Sequence, residues 1–161
     1  MFRPMRRKMQ ALSLKQCIFI LKNASSGVLA LSGDNEYPYA VPISFVYDET
    51  KIYFHCAKSG HKIDAIKRNK KASFCIIDKD EVVPLKYTTH YRSVIVFGTI
   101  KILDSDNDKY EAIEKLAVKY APLDSKDNRD KAIADEWDPL CILEMQIEHI
   151  SGKAAKELKG I

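Results

Sequence analysis

The sequence lacks long apolar runs, closely spaced cysteines and low-complexity segments. Its longest uninterrupted apolar run near the N-terminus, from Cys17 to Leu21, is too short for a signal-peptide core or a membrane span. No C-x-x-C pair is present, which argues against a zinc knuckle or a thioredoxin-type motif. We therefore expect a cytoplasmic protein without membrane association. Its four cysteines are expected to be reduced and mostly buried: Cys17, Cys56, Cys75 and Cys141.

The composition is that of an ordinary soluble globular protein. The chain has 161 residues, of which 46% are hydrophobic and 30% are charged. A chain of this length buries roughly two thirds of the surface that its unfolded form exposes. We expect one domain over residues 13–152, preceded by a basic arm at residues 1–12 and followed by a polar tail at residues 153–161.

Acidic residues are absent from the first 33 positions, which contain six Lys or Arg residues. Because the whole chain has a net charge of +4, the remaining residues carry −2. The basic arm is therefore compatible with contact to nucleic acid or to an anionic membrane, or with an organelle transit peptide. We favour an arm that is solvated or packed on a partner subunit.

Hydrophobic periodicity predicts a mainly β protein of the α+β class. Helices are expected over residues 13–23, with Ser13 as N-cap, over 59–69, capped by Ser59, and over 104–120, with a helix or loop over 126–137. Strands are expected over residues 28–31, 37–47, 52–57, 72–78, 91–103 and 139–151, and Gly98 is expected to mark a bulge or bend. Six or so strands joined mostly by hairpins favour an antiparallel barrel.

The strand predicted over residues 37–47 has one unusually small face. Tyr39 and the residues that alternate with it share one face, while the other face carries Ala40, Pro42 and Ser44. A flat ligand could lie against such a face. Because Pro42 has no N–H, it belongs at a sheet edge, at a bulge or beside a ligand. An edge strand protected by proline against aggregation is an equally good interpretation.

Two short segments could bind an anion. Residues Lys58 to Lys62 place two ammonium groups, a hydroxyl, a glycine and an imidazole at a helix start, where backbone N–H groups and the helix dipole favour phosphate. An ordinary basic helix start is the alternative. The second segment, from Thr88 to Ser93, offers Arg92 for bidentate contacts and the Ser93 hydroxyl, although Arg92 could equally be an exposed ion-pair partner.

His55 is a third candidate. Alternation places it on one strand face with Ala57, from which it could line a ligand site, while a hydrogen-bonded structural histidine is the alternative. A metal site from His55, Cys56 and His61 is disfavoured, because alternation separates the first two and a fourth spaced ligand is missing. No nucleophile elbow is present. Trp137 could cap the core or a planar ligand, and we favour the core.

Five motifs taken in order resemble the pyridoxamine 5'-phosphate oxidase-related, flavin-binding split-barrel proteins, and among them the nitroimidazole-resistance (NimA-like) branch. The motifs are G-V-L-A at 27–30, Y-P-Y-A-V-P-I-S-F at 37–45, I-Y-F-H-C-A at 52–57, G-H-K at 60–62 and Y-R-S-V-I-V-F-G at 91–98. The resemblance extends from about Met5 to Pro122, and the ordered set is far more specific than any single motif.

This resemblance implies a six-stranded antiparallel split β-barrel, a homodimer, and FMN bound at the subunit interface, with FAD as the alternative cofactor. It implies that Pro42, Ile43 and Ser44 present backbone to the isoalloxazine ring. It further implies a set of residues around the ribityl phosphate end: His55, Ala57, Lys58, Gly60, His61 and Lys62. Arg92 and Ser93 would contribute from the barrel strand or from the partner subunit.

The activity implied by the resemblance is that of a flavin-dependent oxidoreductase acting on a small molecule. For the resistance branch this is reduction of a nitro group on an imidazole, with His55 as the catalytic candidate. Two other classes stay open. A flavin- or haem-binding storage or sensing protein would use the same barrel without turnover. A nucleic-acid-binding barrel is suggested by the basic arm and by the lysines of residues 58–71, but no recognisable aromatic RNA-binding motif accompanies them.

Overall fold

The strands of the chain form one antiparallel sheet, around which the helices pack. The computed structural model describes residues 1–158. The strands are β1 (Ser26–Ser32), β2 (Pro38–Ser44), β3 (Val46–Asp48), β4 (Lys51–Ala57), β5 (Lys71–Val83), β6 (Thr88–Ile102) and β7 (Leu140–Ala154). The helices are α1 (Leu14–Asn23), α2 (His61–Arg68), α3 (Asp106–Tyr120) and α4 (Lys126–Asp135). The hydrogen-bonded strand order is β2-β1-β5-β6-β7-β4-β3.

The predicted α+β class and antiparallel sheet are confirmed, but the predicted six-stranded barrel is wrong in its strand count. The strand expected over residues 37–47 is interrupted at Phe45, so that β2 pairs with β1 and β3 pairs with β4. The sheet therefore has seven strands, and its ladder is open between β2 and β3. Because Phe45 alone separates these two edge strands in sequence, the covalent chain crosses the opening.

The C-terminal end of α3 supplies the hydrogen bonds that Phe45 would otherwise make in a strand. The Tyr120 hydroxyl accepts the Phe45 N–H at 2.9 Å and donates to the Ser25 carbonyl at 2.5 Å. The Lys119 ammonium donates to the carbonyls of Phe45 and Ala24 at 2.8 and 2.7 Å. These bonds satisfy buried backbone groups at the place where the ladder stops.

The main hydrophobic core lies inside the curved sheet. The rings of Phe45 and Phe54 meet that of Phe74 edge to face, with centroids 4.8 and 5.1 Å apart, and all three side chains are fully buried. Tyr39, with the residues that alternate with it along β2, packs against this cluster, which confirms that these residues share one face. A smaller cluster lies beneath α3, and Trp137 packs against it as predicted.

Several element boundaries differ from the sequence predictions. β5 and β6 form one long hairpin, closed by a 3-10 turn at Pro84–Lys86. The register shifts between Phe97 and Gly98, which confirms the expected bulge. The N-cap of α2 is Gly60 and not Ser59: the Gly60 φ of 118° lies in the region that L side chains rarely adopt.

The N-terminal arm, residues 1–12, packs on the sheet. Ala11 forms a β-bridge with Lys153, and the ring of Phe2 stacks on that of His149 with centroids 4.7 Å apart. Of the predicted tail at 153–161, the first two residues end β7 and Lys156–Leu158 forms a 3-10 turn, while 159–161 lie outside the described residues. None of the helices in the described chain has the length and apolarity that crossing a membrane requires.

Candidate functional site

A cavity of about 920 Å³ lies between the opening in the sheet, where β2 and β4 approach each other, and the α3–α4 pair. β2 and β4 supply one wall and the two helices supply the other. The lining residues are Ile43, Ser44, His55, Cys56, Ala57, Lys62, Ile113, Leu116, Ala117, Tyr120, Ala121, Asp124, Arg129, Ala132, Ile133, Glu136, Pro139 and Leu140. A largely apolar wall with a few polar groups at this volume is typical of small-molecule and cofactor sites.

Five residues predicted to bind a cofactor lie together in this cavity wall: Ile43, Ser44, His55, Ala57 and Lys62. The other six do not line it: Pro42, Lys58, Gly60, His61, Arg92 and Ser93. The interruption at Phe45 explains part of this grouping, because it ends β2 at Ser44, on the cavity wall. The chain then turns to pair with β4, the strand that carries His55.

His55 and Lys62 provide the polar end of the sheet-side wall. Desolvation by the surrounding wall lowers the pKa of His55 from 6.5, and the nearby Lys62 charge lowers it further. The imidazole is therefore neutral at pH 7 and has an acceptor nitrogen as well as a donor. Burial raises the pKa of the adjacent Cys56 to about 11, with Cys141 directly opposite it in the β4–β7 ladder. Cys56 is accordingly a thiol and not a thiolate nucleophile.

Lys62 is the second residue of α2, and the start of this helix has no side-chain cap. Each of the other three α-helices in residues 1–158 begins at a serine whose hydroxyl accepts a backbone N–H of the first turn: Ser13, Ser105 and Ser125. Gly60 offers no such group, and a Cβ added there would meet nothing within 4 Å. The first N–H groups of α2 are therefore open to an anion.

His61 and Lys58 have their contacts outside the cavity lining. The His61 ring stacks on Tyr39 with centroids 4.0 Å apart, and its Nε2 lies 3.6 Å from a carboxylate oxygen of Asp34. Asp34 also pairs with Arg68 at 2.6 Å, so these contacts fasten α2 to the turn between β1 and β2. Lys58 lines a separate groove that also includes Asp104 and Leu140.

Arg92 and Ser93 lie on β6, the central strand of the sheet, outside the cavity lining. Arg92 pairs in register with Ala154, whereas the cavity is lined by Leu140 at the other end of β7. Across the sheet the distance is smaller: Ser44 pairs with Ser26, the β1–β5 register continues from Val28–Cys75 towards Ile77, and Ile77 pairs with Ser93. Ser93 therefore lies about three strand spacings, or about 14 Å, from Ser44. Arg92 Nε donates to Asp78 at 2.5 Å. Neither residue lines the cavity of its own chain.

The helical wall contributes polar residues that no sequence motif indicates. Tyr120, Asp124, Arg129 and Glu136 line the cavity from α3, α4 and the adjoining turns. No motif marks them, and residues 126–137 were assigned only to a helix or loop. The one available signal is the pair of consecutive segments after β6, a helix over residues 104–120 and a helix or loop over 126–137, which must pack somewhere on the sheet.

The sequence profile of a family described as pyridoxamine 5'-phosphate oxidase matches residues 13–154. This match confirms the resemblance that the five motifs indicated. Among curated proteins, none matches the chain at a significant level.

Solved structures share the fold at low sequence identity. A protein of Bacteroides thetaiotaomicron described as a candidate 5-nitroimidazole antibiotic resistance protein is 18% identical, with a TM-score of 0.76 over 89% of this chain and 85% of its own. A FAD-binding protein of Mesorhizobium loti is 22% identical, with a TM-score of 0.64 over 91% and 97%. A FAD- and haem-binding protein of Mycobacterium smegmatis is 18% identical, with a TM-score of 0.72 over 92% and 74%.

Proposed function

Because the chain belongs to the pyridoxamine 5'-phosphate oxidase family, we propose that it is a flavoprotein that binds FMN and acts as an oxidoreductase on a small molecule. The observation that carries this proposal is the meeting of Ser44, His55, Ala57 and Lys62 in one cavity wall, next to the uncapped start of α2. Solved structures with this fold include FAD-binding proteins, which supports a flavin as the ligand class.

The residues of the cavity fit the parts of a flavin. β2 is an edge strand, so backbone groups at Ile43 and Ser44 that face away from β1 have no strand partner and are free to bond a ring edge. The exposed, compact side chains of Ala40 and Pro42 leave the outer face of this strand accessible. Lys62 and the open N–H groups of α2 suit a phosphate. One such anion site favours FMN over FAD.

The bound flavin would supply hydride or electron transfer, while the chain orients it and limits access. His55 is the side chain suited to accept a proton beside the ring, because its imidazole is neutral at pH 7 and lies in the cavity wall. Leu116 and Ile133 exclude water from the opposite, helical wall.

A homodimer would bring the missing residues to the site. The outward face of β5 and β6 exposes Ile77, Ile95 and Phe97, whose side chains are 65%, 38% and 37% accessible. Ser93 lies on this face, directly opposite Ile77, and Arg92 adjoins it. We propose that a second copy of the chain covers this face and receives Arg92 and Ser93 at its cavity, as the family resemblance implies.

Two measurements test these proposals. Purified protein is expected to show the flavin visible absorbance bands or to acquire them when FMN is added, and chromatography of the released cofactor distinguishes FMN from FAD. Protein that stays colourless and binds neither flavin would refute the assignment. Light scattering is expected to give a dimer that Ile95→Asp disrupts. Val118→Asp, which alters an exposed residue of α3, serves as the control.

We propose nitro groups of the nitroimidazole type as the first acceptors to test, with a reduced nicotinamide as the electron donor. The structural likeness to the Bacteroides protein supports this choice. Oxidation of the nicotinamide that depends on both the nitro compound and the bound flavin is the expected result. Bound flavin that neither accepts nor passes on electrons would instead indicate a storage or sensing protein.

A further inference from the structure

Arg129 is a cavity residue whose hydrogen-bonding capacity is largely unused. Its side chain is 14% exposed, and its guanidinium has five N–H donors. One of them, on Nη1, donates to the Asp124 carbonyl at 3.2 Å. Nη2 lies 3.9 Å from a Glu114 carboxylate oxygen, which is too far for a hydrogen bond. Nε is buried and has no partner within residues 1–158.

The Asp124 carboxylate in the cavity wall is already engaged elsewhere. The Asp124 side chain accepts the Ser125 N–H at 2.9 Å and both oxygens accept from the Asn128 amide, at 2.9 and 3.0 Å. Those bonds hold the first turn of α4. Asp124 therefore accepts from Arg129 through its backbone carbonyl, while its carboxylate is bonded to the start of α4.

Glu144 is a buried charge that the chain pairs fully with its own residues. Glu144, which is 6% exposed, is bonded by Lys51 at 2.9 Å and by Lys101 at 3.2 Å. A buried donor without a partner costs stability, so such groups ordinarily receive a protein or ligand acceptor. The contrast with Arg129 indicates an acceptor that the chain itself does not supply.

The residues around Arg129 indicate what kind of ligand carries this acceptor. Its neighbours in the helical wall include the apolar side chains of Leu116, Ala132 and Ile133. Glu136 also lines the cavity, but it is exposed, so water screens its charge. A planar guanidinium binds a carboxylate through two parallel hydrogen bonds. The site thus combines a carboxylate receptor with an apolar wall.

We propose that Arg129 binds the carboxylate of a substrate that has an aromatic or aliphatic body, held between the α3–α4 pair and the sheet-side wall. That this ligand is the substrate of a flavoprotein rests on the proposed function. Arg129 is then the specificity-determining residue, and small organic acids are the substrate class.

The experiment compares benzoate with benzamide, which has the same shape and no charge. Calorimetry on the purified protein, with and without added FMN, is expected to give at least about tenfold tighter binding of benzoate. Arg129→Gln is expected to abolish this preference, and Arg129→Lys to retain part of it. Lys131→Gln removes a charge from an exposed position of the same helix and should leave the preference unchanged.

The outcomes separate this inference from the proposed function. Equal affinity for the two probes in the unaltered protein, or a benzoate preference that survives in Arg129→Gln, overturns the role of Arg129. Loss of FMN from folded Arg129→Gln assigns the guanidinium to the cofactor and overturns the inference, while the flavoprotein proposal stands. Protein that binds no flavin but prefers benzoate through Arg129 refutes the flavoprotein proposal and retains the carboxylate site.

Discussion

Lys119 allows a direct test of how the open sheet is held together. Its ammonium lies 3.9 Å from the centroid of the Phe45 ring and donates to two backbone carbonyls, those of Ala24 and Phe45. No carboxylate within residues 1–158 pairs with it. Desolvation at this position lowers the pKa of Lys119 from 10.5 to about 8. The charged form is therefore less favourable in the folded chain than in the unfolded one.

The size of the expected change in the free energy of unfolding follows from the difference between the folded and unfolded pKa values of Lys119. Below pH 8 both states hold the proton, and the folded state carries the whole cost of the buried charge. Between pH 8 and 10.5 the folded chain has released the proton and the unfolded chain has not, so the free energy of unfolding rises with pH. One pKa unit corresponds to about 1.4 kcal/mol. The titration of Lys119 should therefore increase the free energy of unfolding by about 2 kcal/mol between pH 7.5 and 10.

The assay is urea unfolding of the unaltered protein and of Lys119→Met at several pH values. The difference between their free energies of unfolding cancels titrations that both proteins share, and it is expected to increase by about 2 kcal/mol in favour of the unaltered protein. The matched control is Lys115→Met on the same helix. Lys115 pairs with Asp48 at 2.5 Å, and this bond raises the pKa of Lys115. The free energies of unfolding of the unaltered protein and of Lys115→Met should therefore differ by a constant amount up to pH 10. A flat or falling difference for Lys119 would refute the reasoning.

Three further predictions concern the site and the sheet. Lys62→Ala is expected to weaken FMN binding about tenfold in equilibrium dialysis, while the exposed Lys67→Ala should bind as before. Gly98→Ala would place a Cβ 2.1 Å from the Gln146 carbonyl oxygen, so urea unfolding should reveal a loss of at least about 2 kcal/mol. Because the pKa of His55 is lowered from 6.5, the stability of the unaltered protein relative to His55→Gln should fall as pH drops from 7 to 5.

Side-chain alternation was sufficient to predict which residues of β2 share a face. Tyr39 packs inward and Pro42 outward because a strand reverses its side chains at every residue, whatever its partners are. The interruption at Phe45 could not be predicted in this way. Alternation continues through it unchanged, and the hydrogen bonds that replace the ladder come from Lys119 and Tyr120, about 75 residues later.

The helical half of the site was hidden for a different reason. α4 buries only Ile133 among its ten residues, so its sequence shows no clear apolar stripe that would reveal which side faces the cavity. Arg129 is one charged residue in a polar segment, and its significance depends on Asp124 being engaged by the start of the same helix. Such contacts are specified by tertiary packing and not by residue spacing.

The two halves of the site depend on one structural feature. Phe45 carries the chain from one edge of the sheet to the other, and its backbone is held there by the last two residues of α3. The same crossing ends β2 at Ser44 in the cavity wall, and the same helix end places Tyr120 in that wall. Closing the gap with a continuous ladder would remove the backbone sites to which α3 is bonded. The hydrogen bonds at the opening in the sheet therefore join the helical wall, which includes Arg129, to the wall that carries His55 and Lys62.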